Sequence, residues 1–133
     1  MRHDASVQLR WSDPDSYGHV NHARALSLLE DARLAMNTEA PRGADGARPG
    51  LILARLEVDY LRQLHYRPGE HVRVCSWVTR LGTSSFTVRQ ELRQDDEIAI
   101  RLDAVLVMFD YATDRARPLT DVERAYWSRF VED

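Results

Sequence analysis

Between Asp13 and Ala23 the chain reads Asp-Pro-Asp-Ser-Tyr-Gly-His-Val-Asn-His-Ala, gathering two carboxylates, two imidazoles, an amide and a glycine into eleven residues. An aspartate is ionised at neutral pH, so it can attack an electrophilic carbon or take a proton from an attacking water. The Asp, Pro, Ser and Gly content marks a turn, and an apolar-periodic segment follows it directly. Such a turn sets its acidic side chains beside the unpaired N–H groups of a helix's first turn, which favour negative charge. A carboxylate and an oxyanion-binding amide can therefore share one small site. Two plainer readings compete. An Asp in a turn of this kind is most often a turn former or helix cap, and Asn21 is equally placed to cap the helix. His19 and His22 could join Asp15 as a metal site, but the pair straddles the turn-to-helix junction and no third His or Glu follows at helical spacing.

The elements that must position these residues follow from periodicity. Val7, Leu9 and Trp11 alternate with polar residues over Ser6 to Trp11, which predicts a first strand. A helix is expected from about Asn21 to Asn37, with Ala25, Leu28, Leu29, Ala32, Ala35 and Met36 on one arc. Leu26 and Leu34 fall outside that arc, which predicts neighbours on more than one side of the helix. Glu30 and Arg33, three residues apart, read as an exposed ion pair or as a buried pair, not as catalytic groups. Glu39 to Gly50 holds two prolines and three glycines, the composition of a loop.

Beyond it the period becomes two. Strands are expected over Ile52 to Leu61, His71 to Leu81, a third carrying Phe86, Val88 and Leu92, and Ile98 to Asp110, in hairpin succession. Thr120-Asp121-Val122-Glu123 has the spacing of a capping box before a short last helix. The order predicts an α+β domain, an antiparallel, curled sheet covered by one long helix.

With 133 residues the chain is read as one domain spanning 1–133. Its 44% hydrophobic and 29% charged residues and net charge of -3 fit a globular protein with no basic surface for nucleic acid. One cysteine, Cys75, excludes an intramolecular disulfide and a multi-thiolate metal site; Cys75 and Trp77 read as packing or interface residues. No apolar run approaches the length of a membrane span, and a cytoplasmic location is expected.

The motif and the element order together resemble the hotdog fold, and within it the 4-hydroxybenzoyl-CoA thioesterase-like acyl-CoA thioesterases. The matching residues are Asp15 to Ala23, Leu29 to Arg33, Tyr60-Leu61-Arg62 with Tyr66 to Glu70, and Arg80 to Ser85. The resemblance implies that Asp15, three residues before Gly18, is the catalytic carboxylate, as nucleophile or general base. It implies oxyanion or substrate contacts from Tyr17, Gly18, Asn21 and His22, the last through its backbone N–H. It also implies no metal, no cofactor and sites between subunits of a homodimer or homotetramer, so that Ser84 and Ser85 could come from a partner chain. Arg62, Arg67 and Arg89 are candidates for the phosphates of coenzyme A. The expected function is hydrolysis of acyl-CoA, or of an acyl carrier protein thioester. The alternatives are a non-catalytic acyl-CoA-binding module and a hydratase on the same fold.

Overall fold

The computed structural model describes residues 1–10, 14–43, 46 and 48–132. Trp11 and Asp13, both read from the sequence above, lie outside the described residues. Six strands form a single antiparallel sheet: β1 (His3–Gln8), β2 (Gly50–Tyr60), β3 (His71–Leu81), β4 (Ser85–Gln94), β5 (Glu97–Asp110) and the two-residue β6 (Arg115–Ala116). Two helices accompany it, α1 (His22–Asn37) and α2 (Asp121–Ser128). This antiparallel sheet with a helix against it fits the hotdog fold.

The sheet order is β1-β3-β4-β5-β2, with β6 on β5. Hairpin succession was expected throughout, and it holds only from β3 to β5. β2 instead pairs with β5, from Gly50 opposite Phe109 to Tyr60 opposite Ile100. The segment from Leu61 to Glu70 carries the chain from one side of the sheet to the other. It is too long and too firmly held for a hairpin: the N–H groups of Leu61 and Arg62 both donate to the carbonyl of Ala99, and Val20 donates to Leu64 at 2.7 Å.

Register breaks at Leu53/Arg55 in β2, Val78/Arg80 in β3 and Leu92/Arg93 in β4 bend the strands and curl the sheet. The β4–β5 hairpin turns through Asp95 and Asp96, whose φ angles of 54° and 61° are those of a primed two-residue turn. Asp95 is held there by a bidentate bond from Arg67, both distances 2.8 Å.

α1 buries Ala25, Leu28, Leu29, Ala32 and Met36, five of the six residues of the predicted arc; Ala35 is exposed. All of these but Met36 meet Val72, Val74, Leu92, Ile100, Leu102 and Ala104 of the sheet in one core cluster. Met36 joins a second cluster at the other end, where Phe86 stacks on Trp127 with centroids 4.4 Å apart and Leu106, Met108 and Phe130 close around them. The capping box is present. Thr120 N–H donates to Glu123 Oε1 at 2.8 Å and Glu123 N–H to Thr120 Oγ1 at 3.2 Å. Arg117 adds a bidentate bond to the same carboxylate, holding it below the ordinary carboxylate range.

Candidate active site

The turn before α1 is built around Asp15. Its Oδ1 accepts from the N–H of Tyr17 at 2.8 Å and of His19 at 3.3 Å. Its own N–H donates to the His19 carbonyl at 2.8 Å. Gly18, at φ +77°, supplies the left-handed residue that lets the chain reverse within this loop. The returning limb is anchored by the crossover segment: Tyr66 N–H donates to the Gly18 carbonyl, and His19 bridges to His65 with their rings 5.1 Å apart. The β2-to-β3 crossover thus serves as the outer wall of the Asp15 turn.

Asn21 is the N-cap of α1, its Oδ1 accepting from Ala23 N–H at 2.9 Å, and its carbonyl starts the helical ladder at Ala25. The N–H groups of His22 and Arg24 meet no acceptor among the described residues. They are the open donors of a helix start, and an anion placed there gains both hydrogen bonds and the helix's positive end. Across from them Tyr60, at the end of β2, donates its hydroxyl to the His22 carbonyl at 3.2 Å and sets its ring edge-on to the His22 imidazole. Burial pushes the Tyr60 phenol up from its ordinary value, so it remains a neutral donor near pH 7.

These groups line a cleft of about 470 Å³. Asp15, Asn21, His22, Tyr60 and Arg62 form its polar wall, and Val20, Ala25, Leu64 and Ile100 its apolar floor. The crossover therefore brings Tyr60, Gln63 and Leu64 to the Asp15 turn, residues that the motif alone did not single out. Their signal in the sequence was the Tyr60-Leu61-Arg62 run, but only the paired topology of β2 with β5 shows that it faces the turn.

The remaining candidates lie elsewhere. Tyr17 stands 83% exposed at the tip of the turn and does not line the cleft. Ser84 and Ser85 belong to the β3–β4 hairpin, and Ser85 pairs with Val107 while the cleft reaches Ile100 on the same strand. Seven residues of strand separate them, roughly 23 Å, so one chain alone does not bring these serines to Asp15. Arg67 is committed to Asp95 and Glu70, which push its guanidinium up from its ordinary value. Arg89 is held bidentate by Asp103 on the sheet face opposite Gln90. Arg62 lines the cleft and pairs with Glu97 across an exposed rim, an interaction weak enough to exchange for another anion. Among the described residues no group of three or more His, Cys, Asp or Glu is gathered for a metal.

Residues 9–126 match the model of the thioesterase-like superfamily. The chain belongs to this family. It is similar to a predicted thioesterase from Bacillus stearothermophilus, with 26% identity and a TM-score of 0.87 over 100% of this chain and 98% of that one. A thioesterase from Thermus thermophilus, solved with coenzyme A and Zn, is 30% identical over 96% of this chain and 92% of its own, with a TM-score of 0.82. An uncharacterized protein of Bacillus subtilis strain 168, YsmA, is 27% identical over 82 residues, 62% of this chain and 54% of that protein's length. This chain thus spans about half the length of that curated relative. Family and neighbours together support thioester hydrolysis as the class of activity. No described helix is long and apolar enough to cross a membrane.

Proposed function

We propose that this protein hydrolyses acyl-CoA thioesters to a free acid and coenzyme A, with Asp15 acting at the thioester carbonyl. The observation that carries this reading is the cleft in which the Asp15 turn adjoins the open N–H groups at the start of α1. Coenzyme A as the thiol carrier is supported by its presence in the Thermus thermophilus neighbour.

Two routes use these groups. In the first, water adds to the carbonyl carbon while Asp15 takes its proton; the oxyanion collapses, the C–S bond breaks, and the proton passes to the departing thiolate. In the second, an Asp15 oxygen bonds to the carbon and expels the thiolate, leaving a mixed anhydride that water then opens. In either case the negative oxygen faces the His22 N–H, where a well-placed donor contributes about 3 kcal/mol to the transition state. Asn21 and His22 shape the approach to the carbonyl, and Arg62 is the arginine of the cleft rim best placed for a coenzyme A phosphate.

The active form is a homodimer or homotetramer with sites between subunits, Ser84 and Ser85 arriving from the partner chain. β1 and β2 are sheet edges, and Val105 and Val107 are half-buried on the face away from α1, which gives a second copy apolar surface and a strand edge to cover. In this reading α1 is the central helix that the sheet wraps. The enzyme needs no metal or cofactor, works in the cytoplasm, and engages neither nucleic acid nor a membrane.

The test is release of free thiol from a panel of acyl-CoA and acyl carrier protein thioesters. Turnover that disappears in Asp15→Ala and Asp15→Asn supports the reading. Tight binding of the same ligands without turnover makes the protein a binding module and overturns it.

A further inference from the structure

Leu61, Arg62, Gln63 and Leu64 of the β2-to-β3 crossover line the Asp15 cleft, although the crossover belongs to no strand of the sheet. Its middle is nonetheless extended. Val20 N–H donates to the Leu64 carbonyl at 2.7 Å, and Tyr66 N–H to the Gly18 carbonyl at 3.1 Å. These two bonds flank the antiparallel bridge between His19 and His65, the pattern of a non-hydrogen-bonded pair. The N–H and C=O of His65 therefore point away from His19, toward the place a further strand would occupy.

Among the described residues no strand stands there. The side-chain amide of Gln94 takes its place, with Oε1 accepting from His65 N–H at 2.9 Å and Nε2 donating to the His65 carbonyl at 2.8 Å. The second Nε2 proton goes to Glu70 Oε2 at 3.0 Å. A glutamine amide carries two donors and one carbonyl oxygen, so each of its polar functions is used on this one segment. The partners also fix which atom is oxygen and which nitrogen, because the His65 N–H needs an acceptor and the Glu70 carboxylate a donor. Gln94 is only 9% exposed, so water does not readily stand in for these bonds.

The end of the β4–β5 hairpin explains how Gln94 comes to this spot. Gln94 is the last residue of β4, opposite Glu97 and just before the Asp95–Asp96 turn. It shares with Gln90 and Leu92 the face toward α1. Leu92 pairs with Ile100 and Arg93 with Ile98, which makes Ala99 the extra residue of a bulge. Its carbonyl is free to accept from Leu61 and Arg62 N–H, at 2.8 and 3.1 Å. Asp95 takes Arg67 further along. One hairpin end thus holds the crossover at Leu61, at His65 and at Arg67, and Gln94 holds the residue that lies between the two bonds to the Asp15 turn.

We infer that Gln94 is a positioning residue of the Asp15 site: its amide acts as a one-residue strand that fixes His65, and through Leu64 and Tyr66 fixes the backbone from Gly18 to Val20. Asp15 is tied to that backbone twice, since its N–H donates to the His19 carbonyl and its Oδ1 accepts from His19 N–H. A shift of His19 therefore moves the carboxylate. Val20 leads directly into Asn21 and the open N–H of His22, so the same shift moves the helix start. A displacement of about 1 Å in a reacting geometry costs about 100-fold in rate. The effect on rate rests on the proposed hydrolysis at Asp15; the fixing of the backbone does not.

Amide hydrogen exchange on the full chain, with turnover of an acyl-CoA thioester by the same preparations, tests it. In the wild type the N–H groups of Val20, His65 and Tyr66 should exchange slowly and at a common rate, although His65 lies exposed. Rapid exchange of His65 N–H overturns the inference. Gln94→Met keeps the length of the side chain and removes every bond. Gln94→Glu keeps its shape and sets an oxygen against the His65 carbonyl and the Glu70 carboxylate. Each should speed exchange of Val20 and Tyr66 by about tenfold or more, leave the β3–β4 ladder unchanged, and lower kcat by about tenfold or more. Wild-type exchange at Val20 and Tyr66 in both variants overturns the inference. In an Asp15→Asn background, Gln94→Met should cost a smaller factor in kcat than it does in the wild type, because the group it positions is already gone. An equal factor means a structural role alone and overturns the assignment. If the wild type turns over no thioester, the hydrolysis reading fails while the exchange rates still decide the positioning. Should the variants fail to fold, the wild-type exchange of His65 decides.

Discussion

Replacing Asp15 by Asn and by Ala separates its chemistry from its structural duty, because the two substitutions remove different things. The Oδ1 that accepts from Tyr17 and His19 N–H is reproduced by the amide oxygen of Asn, so Asp15→Asn keeps the turn. Asp15→Ala removes the acceptor of both bonds. Asp15 is exposed, so each lost bond is worth the low end of the usual range, and together they come to about 1–2 kcal/mol. For a chain of this size that is a fall in Tm of roughly 4–8 °C. The carboxylate's negative charge is lost in both. If it activates water or attacks carbon, kcat should fall by a factor of about 10² to 10⁴ in each variant, far beyond what a loosened exposed turn explains. The assay is thiol release at saturating acyl-CoA, with thermal unfolding measured on the same preparations. Asp15→Asn that retains more than about a tenth of wild-type kcat, together with an Asp15→Ala loss that follows its stability, would refute the catalytic assignment and leave Asp15 a turn former.

Four further outcomes follow from the fold. Glu123→Ala removes the capping box and the Arg117 bond from a buried carboxylate, and should destabilise by about 2–4 kcal/mol in chemical denaturation. Arg117 holds the Glu123 carboxylate below the ordinary 4.5, so the folded state binds this proton less readily than the unfolded chain does. Its contribution is therefore complete above that value and lost as pH falls through the lower folded-state value; the wild-type advantage over Glu123→Gln should shrink on acidification below pH 4.5. Phe86→Ala empties the space against Trp127 and should cost about 3–5 kcal/mol by the same measurement. Asp96→Gly places glycine at φ 61° beside Asp95, completing the Asp-Gly pair favoured in this hairpin turn, and should raise stability by about 0.5–1 kcal/mol.

Much of the architecture was legible because it depends on local periodicity. β3 begins and ends where alternation of Val72, Val74 and Val78 placed it, and α1 ends at Asn37 as its apolar arc required. β1 begins three residues earlier than the Val7–Leu9 alternation suggested, at His3, because pairing with β3 from Ser76 to His71 recruits polar residues that carry no apolar signal. Hairpin succession failed at β2 for a related reason. Strand alternation says that a segment is extended and which face is apolar, but nothing about which neighbour it will pair with.

The sequence by itself determined the chemistry available. It put a carboxylate, a left-handed glycine and a helix cap into the nine residues from Asp15 to Ala23, and local rules suffice for these because turn, cap and helix start are set by contacts within a few positions. Only the tertiary structure decided the surroundings. It set Tyr60 and Leu64 against the Asp15 turn through the β2–β5 pairing. It took Arg67 and Arg89 out of reach by giving them acids, and it set Arg33 on Gln90. Each of these depends on residues far apart in the chain, brought together by burial of apolar surface that no single segment achieves alone.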